Sequence, residues 1–149
     1  MRAIVQRVKS SKVEVDGKIV GKIGPGLNVL LGVEKGDTGR DLDWMLEKVL
    51  NLRVFADEED RMNRSLLDVA GELLVVSQFT LLGDCRRGRR PSYTAAAGPE
   101  EANRLYGTFC SKARDRGVTV AEGVFRAMMD VHILNDGPVT ILLDSRKQF

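Results

Sequence analysis

The spacing of apolar and polar residues predicts that the chain begins as β-sheet. Residues 2–8 and 12–23 carry β-branched residues in strand-like patterns, and Asp16-Gly17 between Val-Glu-Val and Lys-Ile-Val is typical of a two-residue hairpin turn. Leu27–Val33 is a continuous apolar run, which favours a strand that is covered on both faces.

Two amphipathic helices interrupt the strands. Thr38 is a predicted N-cap with Asp41 three residues later, and apolar residues follow at helical spacing to about residue 52. A second helix is predicted to begin at Gly98-Pro99, with proline at the first helical position, and to end at Gly117. The apolar stripes are Leu42, Met45, Leu46, Val49 and Leu50 in the first helix, and Ala102, Leu105, Tyr106, Phe109 and Ala113 in the second.

Further apolar runs predict more strands around these helices. They are Arg53–Ala56, Glu72–Phe79, Val118–Val120, Phe125–Leu134 and Val139–Leu143. Residues 57–64 are predicted to be a charged surface loop, and Asn135–Pro138 is predicted to be a turn that joins the last two strands.

These elements amount to about eight strands and two helices, with no internal repeat or linker between them. We expect a single α/β domain over residues 1–149, in which the sheets are mostly antiparallel and hairpin-connected. Two helices cannot cover both faces of so many strands. The sheet is therefore expected to close partly into a barrel with the two helices outside, or to pack against a partner chain.

The composition narrows the class of protein. A hydrophobic fraction of 43% and a charged fraction of 30% in 149 residues are typical of a soluble globular chain. The longest uncharged stretches, Ile23–Val33 and Leu73–Gly83, are too short to span a bilayer, and the N-terminus lacks the apolar segment of a signal peptide. We expect a cytoplasmic protein.

The chain has only two cysteines, Cys85 and Cys110, and a single histidine. These residues cannot build a disulfide framework or a four-ligand zinc site, so we expect reduced thiols and no metal.

The net charge of +2 hides a local basic cluster. Four arginines, Arg86, Arg87, Arg89 and Arg90, lie within five residues, and without them the net charge would be −2. Guanidinium groups bind phosphate in a bidentate manner, and Tyr93 offers a stacking face nearby. The cluster therefore predicts contact with a phosphate-bearing partner, although a solvated basic loop is the alternative.

Candidate chemistry lies in Ser77-Gln78-Phe79-Thr80, where an apolar strand gives way to a loop. Ser77 or Thr80 could be a nucleophile, but a hydroxyl needs an activating base, and the only histidine, His132, is far away in sequence. Backbone N–H groups freed at the strand end could instead form an oxyanion hole. A third interpretation is that the hydroxyls only satisfy local hydrogen bonds. For His132 we favour a structural or surface role.

Two other features bear on a site. In Asn135-Asp136-Gly137-Pro138, glycine permits unusual backbone angles and proline permits a cis bond, although a trans bond is far commoner in folded proteins. Arg7 shares one face of the first strand with Val5 and Ala3. We expect it to point inward to a partner, because a buried arginine must be paired or hydrogen-bonded.

Five segments, in this order, resemble the D-aminoacyl-tRNA deacylase family over essentially the whole chain. They are Met-Arg-Ala-Ile-Val-Gln-Arg-Val at the start, Leu30-Leu31-Gly32-Val33, Val75-Val76-Ser77-Gln78-Phe79-Thr80-Leu81, Arg90-Pro91-Ser92-Tyr93 and Asn135-Asp136-Gly137-Pro138-Val139-Thr140. The pairing of Ser-Gln-Phe-Thr with Asn-x-Gly-Pro-x-Thr at this separation is far more specific than either motif alone.

The resemblance implies a cytoplasmic homodimer with active sites at the subunit interface. It implies an editing hydrolase that cleaves the ester joining a D-amino acid to the 3′ end of tRNA, and that also clears glycine wrongly attached to tRNA. It further implies that no metal or organic cofactor is used. We expect no membrane and no DNA among the partners.

The resemblance also implies roles for individual residues. Gly137 and Pro138, joined by a cis bond, would enter the partner subunit's pocket and reject L-aminoacyl esters by collision, with Arg7 holding the dipeptide in place. Ser77, Gln78, Phe79 and Thr80 would line the catalytic pocket, where the Phe79 N–H polarises the ester carbonyl and the terminal 2′-hydroxyl of the RNA helps to activate water. Thr80 as a nucleophile and a non-catalytic tRNA-binding module are the alternatives.

The basic loop is the one departure from the family pattern. It carries Cys85 and a denser set of arginines than the family resemblance leads one to expect. Contact between tRNA and Arg86, Arg87, Arg89 or Arg90 is thus an inference from charge alone.

Overall fold

A computed structural model describes residues 1–149 and contains eight strands and two α-helices. The strands are β1 (Arg2–Val15), β2 (Lys18–Ile23), β3 (Gly26–Gly32), β4 (Phe55–Ala56), β5 (Met62–Arg64), β6 (Glu72–Ser77), β7 (Val120–Glu122) and β8 (Asp130–Asp144). The helices are α1 (Gly39–Asn51) and α2 (Pro99–Asp115), and a one-turn 3-10 helix, Phe79–Leu82, follows β6.

The long strand β1 organises the sheet. It pairs antiparallel with β8 along its whole length, while its first half pairs with β3 and its second half pairs with β2. β3 then pairs parallel with β6, and β6 pairs parallel with β7. A Cβ at Gly21 in β2 would lie 2.5 Å from the carbonyl oxygen of Glu122 in β7, so these two strands touch and nearly close the barrel. The expected fold class, mostly antiparallel and partly barrel-like, is confirmed.

The two faces of the sheet bury different cores. Both helices cover one face, where 22 buried apolar residues form the main core, including Val5, Val29, Val75, Leu46 and Phe109. The other face lines the barrel interior, where Val8, Val13, Ile23, Leu74 and Val76 form a smaller cluster. No helix of the structure is long and apolar enough to cross a membrane.

The helices follow their sequence signals closely. The Asp41 carboxylate accepts hydrogen bonds from the Thr38 backbone N–H at 2.8 Å and from its hydroxyl at 2.9 Å, which fixes the start of α1. α2 begins at Pro99, as predicted, and its last residue is Asp115. Both helices are crossovers between parallel strands, β3 to β6 and β6 to β7. The expectation of mostly hairpin connections is therefore wrong for this half of the sheet.

The predicted strand boundaries are wrong at several positions, including the end of β6, residues 62–64 and the region around Asn135–Pro138. β6 ends at Ser77 and not at Phe79, because the chain turns there into the 3-10 helix. Residues 62–64, predicted to be loop, pair with β4 as β5. The two predicted strands around Asn135–Pro138 are one strand, β8, in which residues 136–139 bulge out between the pairs Gln6–Thr140 and Val8–Asn135. β1 is long enough to pair with both halves, so no hairpin forms.

Candidate functional site

A cavity of about 550 Å³ opens beside the end of β6. Its wall combines the strand end with the start of α2 and with the segment that precedes β8. Eleven of its 15 lining residues are hydrophobic, and Arg126 is the only ionisable one. The lining residues include Ser77, Gln78, Phe79, Phe125, Arg126 and Met129. The cavity is thus an apolar recess with few polar groups, as is usual for a small-molecule site.

The strand end at this cavity continues directly into a helical turn. The Gln78 N–H donates to the Leu31 carbonyl at 2.8 Å and ties the strand end to β3. The 3-10 helix then begins at Phe79, and the first N–H groups of a helix have no acceptor within it. The Phe79 ring is 55% exposed and meets Tyr93 edge-to-face, with ring centroids 5.1 Å apart. Three of the four predicted residues, Ser77, Gln78 and Phe79, therefore lie at the cavity.

Thr80 is the exception among those four residues. It is exposed, it does not line the cavity, and its hydroxyl accepts a hydrogen bond from the side-chain amide of Gln78. His132 lies elsewhere, on β8 opposite Lys12, with its Nε2 3.6 Å from a carboxylate oxygen of Glu14. This position agrees with the structural or surface role predicted for His132. No carboxylate, imidazole or amine that could act as a general base lines the cavity.

Gly137 and Pro138 form the exposed tip of the β8 bulge, and the bond between them is cis. Gly137 has φ = +116°, a conformation that L side chains rarely adopt. The Asn135 side-chain amide donates across the base of the bulge to the Thr140 hydroxyl at 3.3 Å. Neither Gly137 nor Pro138 lines the cavity of its own chain.

Arg7 supports the bulge from behind. Its Nε lies 3.1 Å from a carboxylate oxygen of Asp136, and Nη1 donates to the Val54 carbonyl at 2.5 Å. A Cβ at Gly137 would lie only 2.9 Å from Nη2, so the guanidinium packs directly against the glycine. The side chain is 16% exposed. Arg7 therefore points inward, as predicted, and its partners are Asp136 and the Val54 carbonyl.

The arginine cluster lies on a loop closed by the bridge between Asp84 and Ser92, next to the Phe79–Tyr93 contact. Arg86 folds back onto Asp84 with N–O distances of 2.9 and 2.7 Å, and its guanidinium lowers the pKa of that carboxyl to about 2. Arg86 is the only one of the four that is ion-paired. Arg87, Arg89 and Arg90 are exposed and leave three uncompensated positive charges on this loop.

The comparison with known families decides the identity of the fold. Residues 4–144 match the model of the D-Tyr-tRNA(Tyr) deacylase family. The chain belongs to this family. A D-aminoacyl-tRNA deacylase of Kosmotoga olearia is 64% identical and one of Clostridioides difficile is 62% identical, each over 100% of both chains.

Solved structures share the fold of this chain. The structure of a c-Myc DNA Unwinding Element Binding Protein is 42% identical, with a TM-score of 0.91 over 97% of this chain and 98% of that chain. A probable eukaryotic D-amino acid tRNA deacylase is 20% identical, with a TM-score of 0.79 over 95% of this chain and 97% of that chain, and it shows the same fold.

Sequence reasoning missed one wall of the cavity. Residues 125–129 were expected to be strand, but residues 124–127 form a turn, and this segment contributes five lining residues. Met128 is 92% exposed at this wall, a position that no burial pattern predicts.

Cys85 is exposed and Cys110 is buried, and both are free as expected. Burial raises the pKa of the Cys110 thiol to about 12, which keeps it protonated and inert.

Proposed function

We propose that this chain hydrolyses the ester bond of D-aminoacyl-tRNA and releases the free D-amino acid and tRNA. Membership of the deacylase family and the relatives named D-aminoacyl-tRNA deacylase support this function. The observation that carries the proposal is the apolar cavity whose polar edge is the start of the 3-10 helix at Phe79. An ester carbonyl at that edge would accept a hydrogen bond from the Phe79 N–H, which would stabilise the oxyanion of the tetrahedral intermediate.

The proposed mechanism uses the RNA as part of the catalyst. Since no general base lines the cavity, the water must be activated by another group, and the terminal 2′-hydroxyl of the tRNA is adjacent to the ester in the substrate itself. The protein then supplies position and a preorganised donor. Ser77 and Gln78 would orient the ester. Thr80 is a poor candidate for the nucleophile because it is exposed and has no adjacent base.

The proposed selectivity filter is the Gly137-Pro138 tip of the β8 bulge. The dipeptide projects from a strand whose outer edge has no partner in this chain, and Arg7 braces it from behind. In a homodimer the tip would enter the other subunit's cavity, with its carbonyls facing the substrate α-carbon. An L side chain would collide there and a D side chain would point to solvent, which is specificity by rejection. Glycyl-tRNA would also be accepted, because glycine has no side chain to collide.

The proposed tRNA contact is the basic loop of residues 84–92. Arg87, Arg89 and Arg90 are unpaired and exposed beside the Tyr93–Phe79 contact at the cavity, so phosphates near the acylated end can approach them. Arg86 is already compensated by Asp84 and contributes less. We also propose that the protein is cytoplasmic, uses no cofactor and has no DNA partner.

Deacylation of D-Tyr-tRNA measured beside L-Tyr-tRNA tests this function. We expect rapid hydrolysis of the D ester and hydrolysis of the L ester at its spontaneous rate. Equal rates on the two esters would refute the filter, and no hydrolysis of either, together with salt-sensitive tRNA binding, would favour a non-catalytic binding module. Thr80→Val should keep most of the activity. A loss of several orders of magnitude in that variant would support the threonine nucleophile instead.

A further inference from the structure

Arg126 is unusual in both its backbone and its surroundings. Its φ of +66° is in the left-handed region, which a non-glycine residue rarely occupies. Its side chain is exposed and forms neither an ion pair nor a hydrogen bond in this chain, and it is the only ionisable group lining the cavity. An uncompensated guanidinium therefore lies at the rim of an otherwise apolar recess.

The turn that carries Arg126 is anchored on both sides. The Gly123 N–H donates to the Val75 carbonyl of β6 at 3.0 Å, and the Ala127 N–H donates to the Val124 carbonyl at 3.1 Å. The neighbouring ring of Phe125 packs on Tyr106 of α2, with centroids 6.2 Å apart. These contacts fix where the Arg126 side chain leaves the backbone, at the wall of the cavity.

The location of this charge indicates the chemistry of its ligand. The uncharged lining residues of the cavity cannot neutralise an anion, whereas a guanidinium matches a phosphate in charge and in hydrogen-bond geometry. A substrate acylated at the 3′ end of an RNA carries a phosphodiester on the 5′ side of its terminal nucleoside. Ser77 to Phe79 and Arg126 line the same cavity, so an ester at Phe79 brings that phosphate toward the rim.

We propose that Arg126 binds the backbone phosphate on the 5′ side of the terminal nucleoside and thereby sets the affinity for the RNA end. This inference rests on the proposed function, because it takes the ester to lie at Phe79. Arg126 is a binding residue in this proposal and takes no part in the bond-breaking step. Its loss should thus raise KM and leave kcat unchanged.

The test compares two substrates and three variants. With D-Tyr-tRNA, Arg126→Gln should raise KM about fivefold, and the slope of log(kcat/KM) against log[salt] should become shallower by about 0.7, the value for one phosphate contact on a single strand. Arg126→Gly should behave alike without loss of thermal stability, since glycine adopts the left-handed backbone freely. Arg40→Gln, an exposed arginine on α1 away from the cavity, should match the wild type on every count.

The second substrate, the 3′-O-D-tyrosyl ester of adenosine, has no phosphate. All variants should hydrolyse it at the wild-type rate. An equal loss on this ester would show that Arg126 shapes the cavity and would overturn the inference. An unchanged KM and salt slope on D-Tyr-tRNA would overturn it as well, as would an altered oligomeric state of Arg126→Gln in sedimentation. Failure of the wild-type protein to hydrolyse either substrate would instead refute the proposed function.

Discussion

The proposed site has two halves: the cavity half at the end of β6, and the edge half, which is the Gly137-Pro138 tip of β8. They differ in how many neighbouring strands of this chain hold them in place. The cavity is built at the end of β6, which is paired on both edges, with β3 and with β7. The Gly137-Pro138 tip lies on β8, which is paired on one edge only, with β1. One half is therefore anchored in the middle of the sheet, and the other is presented at its edge.

Because of this difference, the two halves are suited to different tasks. A strand with two partners holds the donors at Phe79 in a fixed geometry, which an oxyanion site requires. An edge strand has backbone groups and an exposed bulge available for a second chain. In the proposed dimer the edge half would act on a substrate in the other subunit's cavity, so substitutions in the two halves should alter different kinetic quantities.

The largest effect is expected from Gly137→Ala in the edge half. The added methyl would lie 2.9 Å from Arg7 Nη2 and 3.0 Å from Val139 Cγ2, at a φ that alanine avoids. We expect kcat/KM for D-Tyr-tRNA to fall about 100-fold and the ratio of D to L rates to fall with it, because the tip is displaced.

Gly17→Ala is the matched control for that substitution. Gly17 also has a positive φ, of +74°, but no atom lies within 4 Å of an added Cβ. It should lose thermal stability only through the strained backbone angle, and its kinetics should be unchanged. If Gly137→Ala keeps the wild-type ratio of D to L rates, the filter assignment is wrong.

A smaller effect, of another kind, is expected from Gly32→Ala in the cavity half. The methyl would lie 2.9 Å from the Gln78 carbonyl oxygen and 2.7 Å from Leu82 Cδ2, so it would push the start of the 3-10 helix. We expect kcat for D-Tyr-tRNA to fall about tenfold with the D/L ratio preserved, because the donor moves and the filter does not. Gly107→Ala, on the exposed side of α2 with nothing within 4 Å, should leave kcat unchanged. A changed D/L ratio in Gly32→Ala would remove the distinction between the halves.

The anchoring of the cavity half predicts a third effect, on stability alone. The buried Tyr106 hydroxyl donates to the Val75 carbonyl at 2.9 Å, and the same carbonyl also accepts from Gly123 N–H. Tyr106→Phe leaves that acceptor satisfied, so we expect a loss of about 1 kcal/mol in the free energy of unfolding, measured by denaturant titration. The D/L ratio should not change. A loss of discrimination would mean that the cavity half also sets selectivity.

The sequence predicted the cavity half better than the edge half, for physical reasons. The two helices begin at Thr38 and Pro99 because of local capping, and segment 77–80 marks the end of a strand. Short-range sequence patterns encode both kinds of feature. The single strand β8 depends on pairing with β1, whose residues lie 116 to 142 positions away, and a turn-like segment such as Asn135–Pro138 is compatible with either a hairpin or a bulge.

The cavity wall around Arg126 also depends on contacts that are distant in sequence. Residues 125–129 carry apolar residues that favour a strand, but the contacts of Gly123 with β6 and of Phe125 with α2 hold a turn there. Those contacts are tertiary, and no local spacing encodes them. The proposed roles of Arg7 in bracing Gly137 and of Gly137-Pro138 as the filter came from the family resemblance. The residue pattern predicted only that Arg7 points inward to a partner.

The smallest predicted effect concerns the basic loop beside the cavity half. It tests whether Arg86 is paired with Asp84 within this chain. The hydrogen bonds and charge of Arg86 favour the ionised form of Asp84 and lower its pKa to about 2, so the carboxylate keeps its charge below pH 3.8, the ordinary value. The pair is therefore fully formed above the unfolded pKa and is lost as the pH falls through about 2. An NMR titration of the Asp84 side-chain carbon should show this midpoint, and Arg86→Gln should move it up toward the ordinary value, while Arg87→Gln should not. A midpoint near 4 in the wild type would mean that Arg86 is free, and that all four arginines are then available to tRNA.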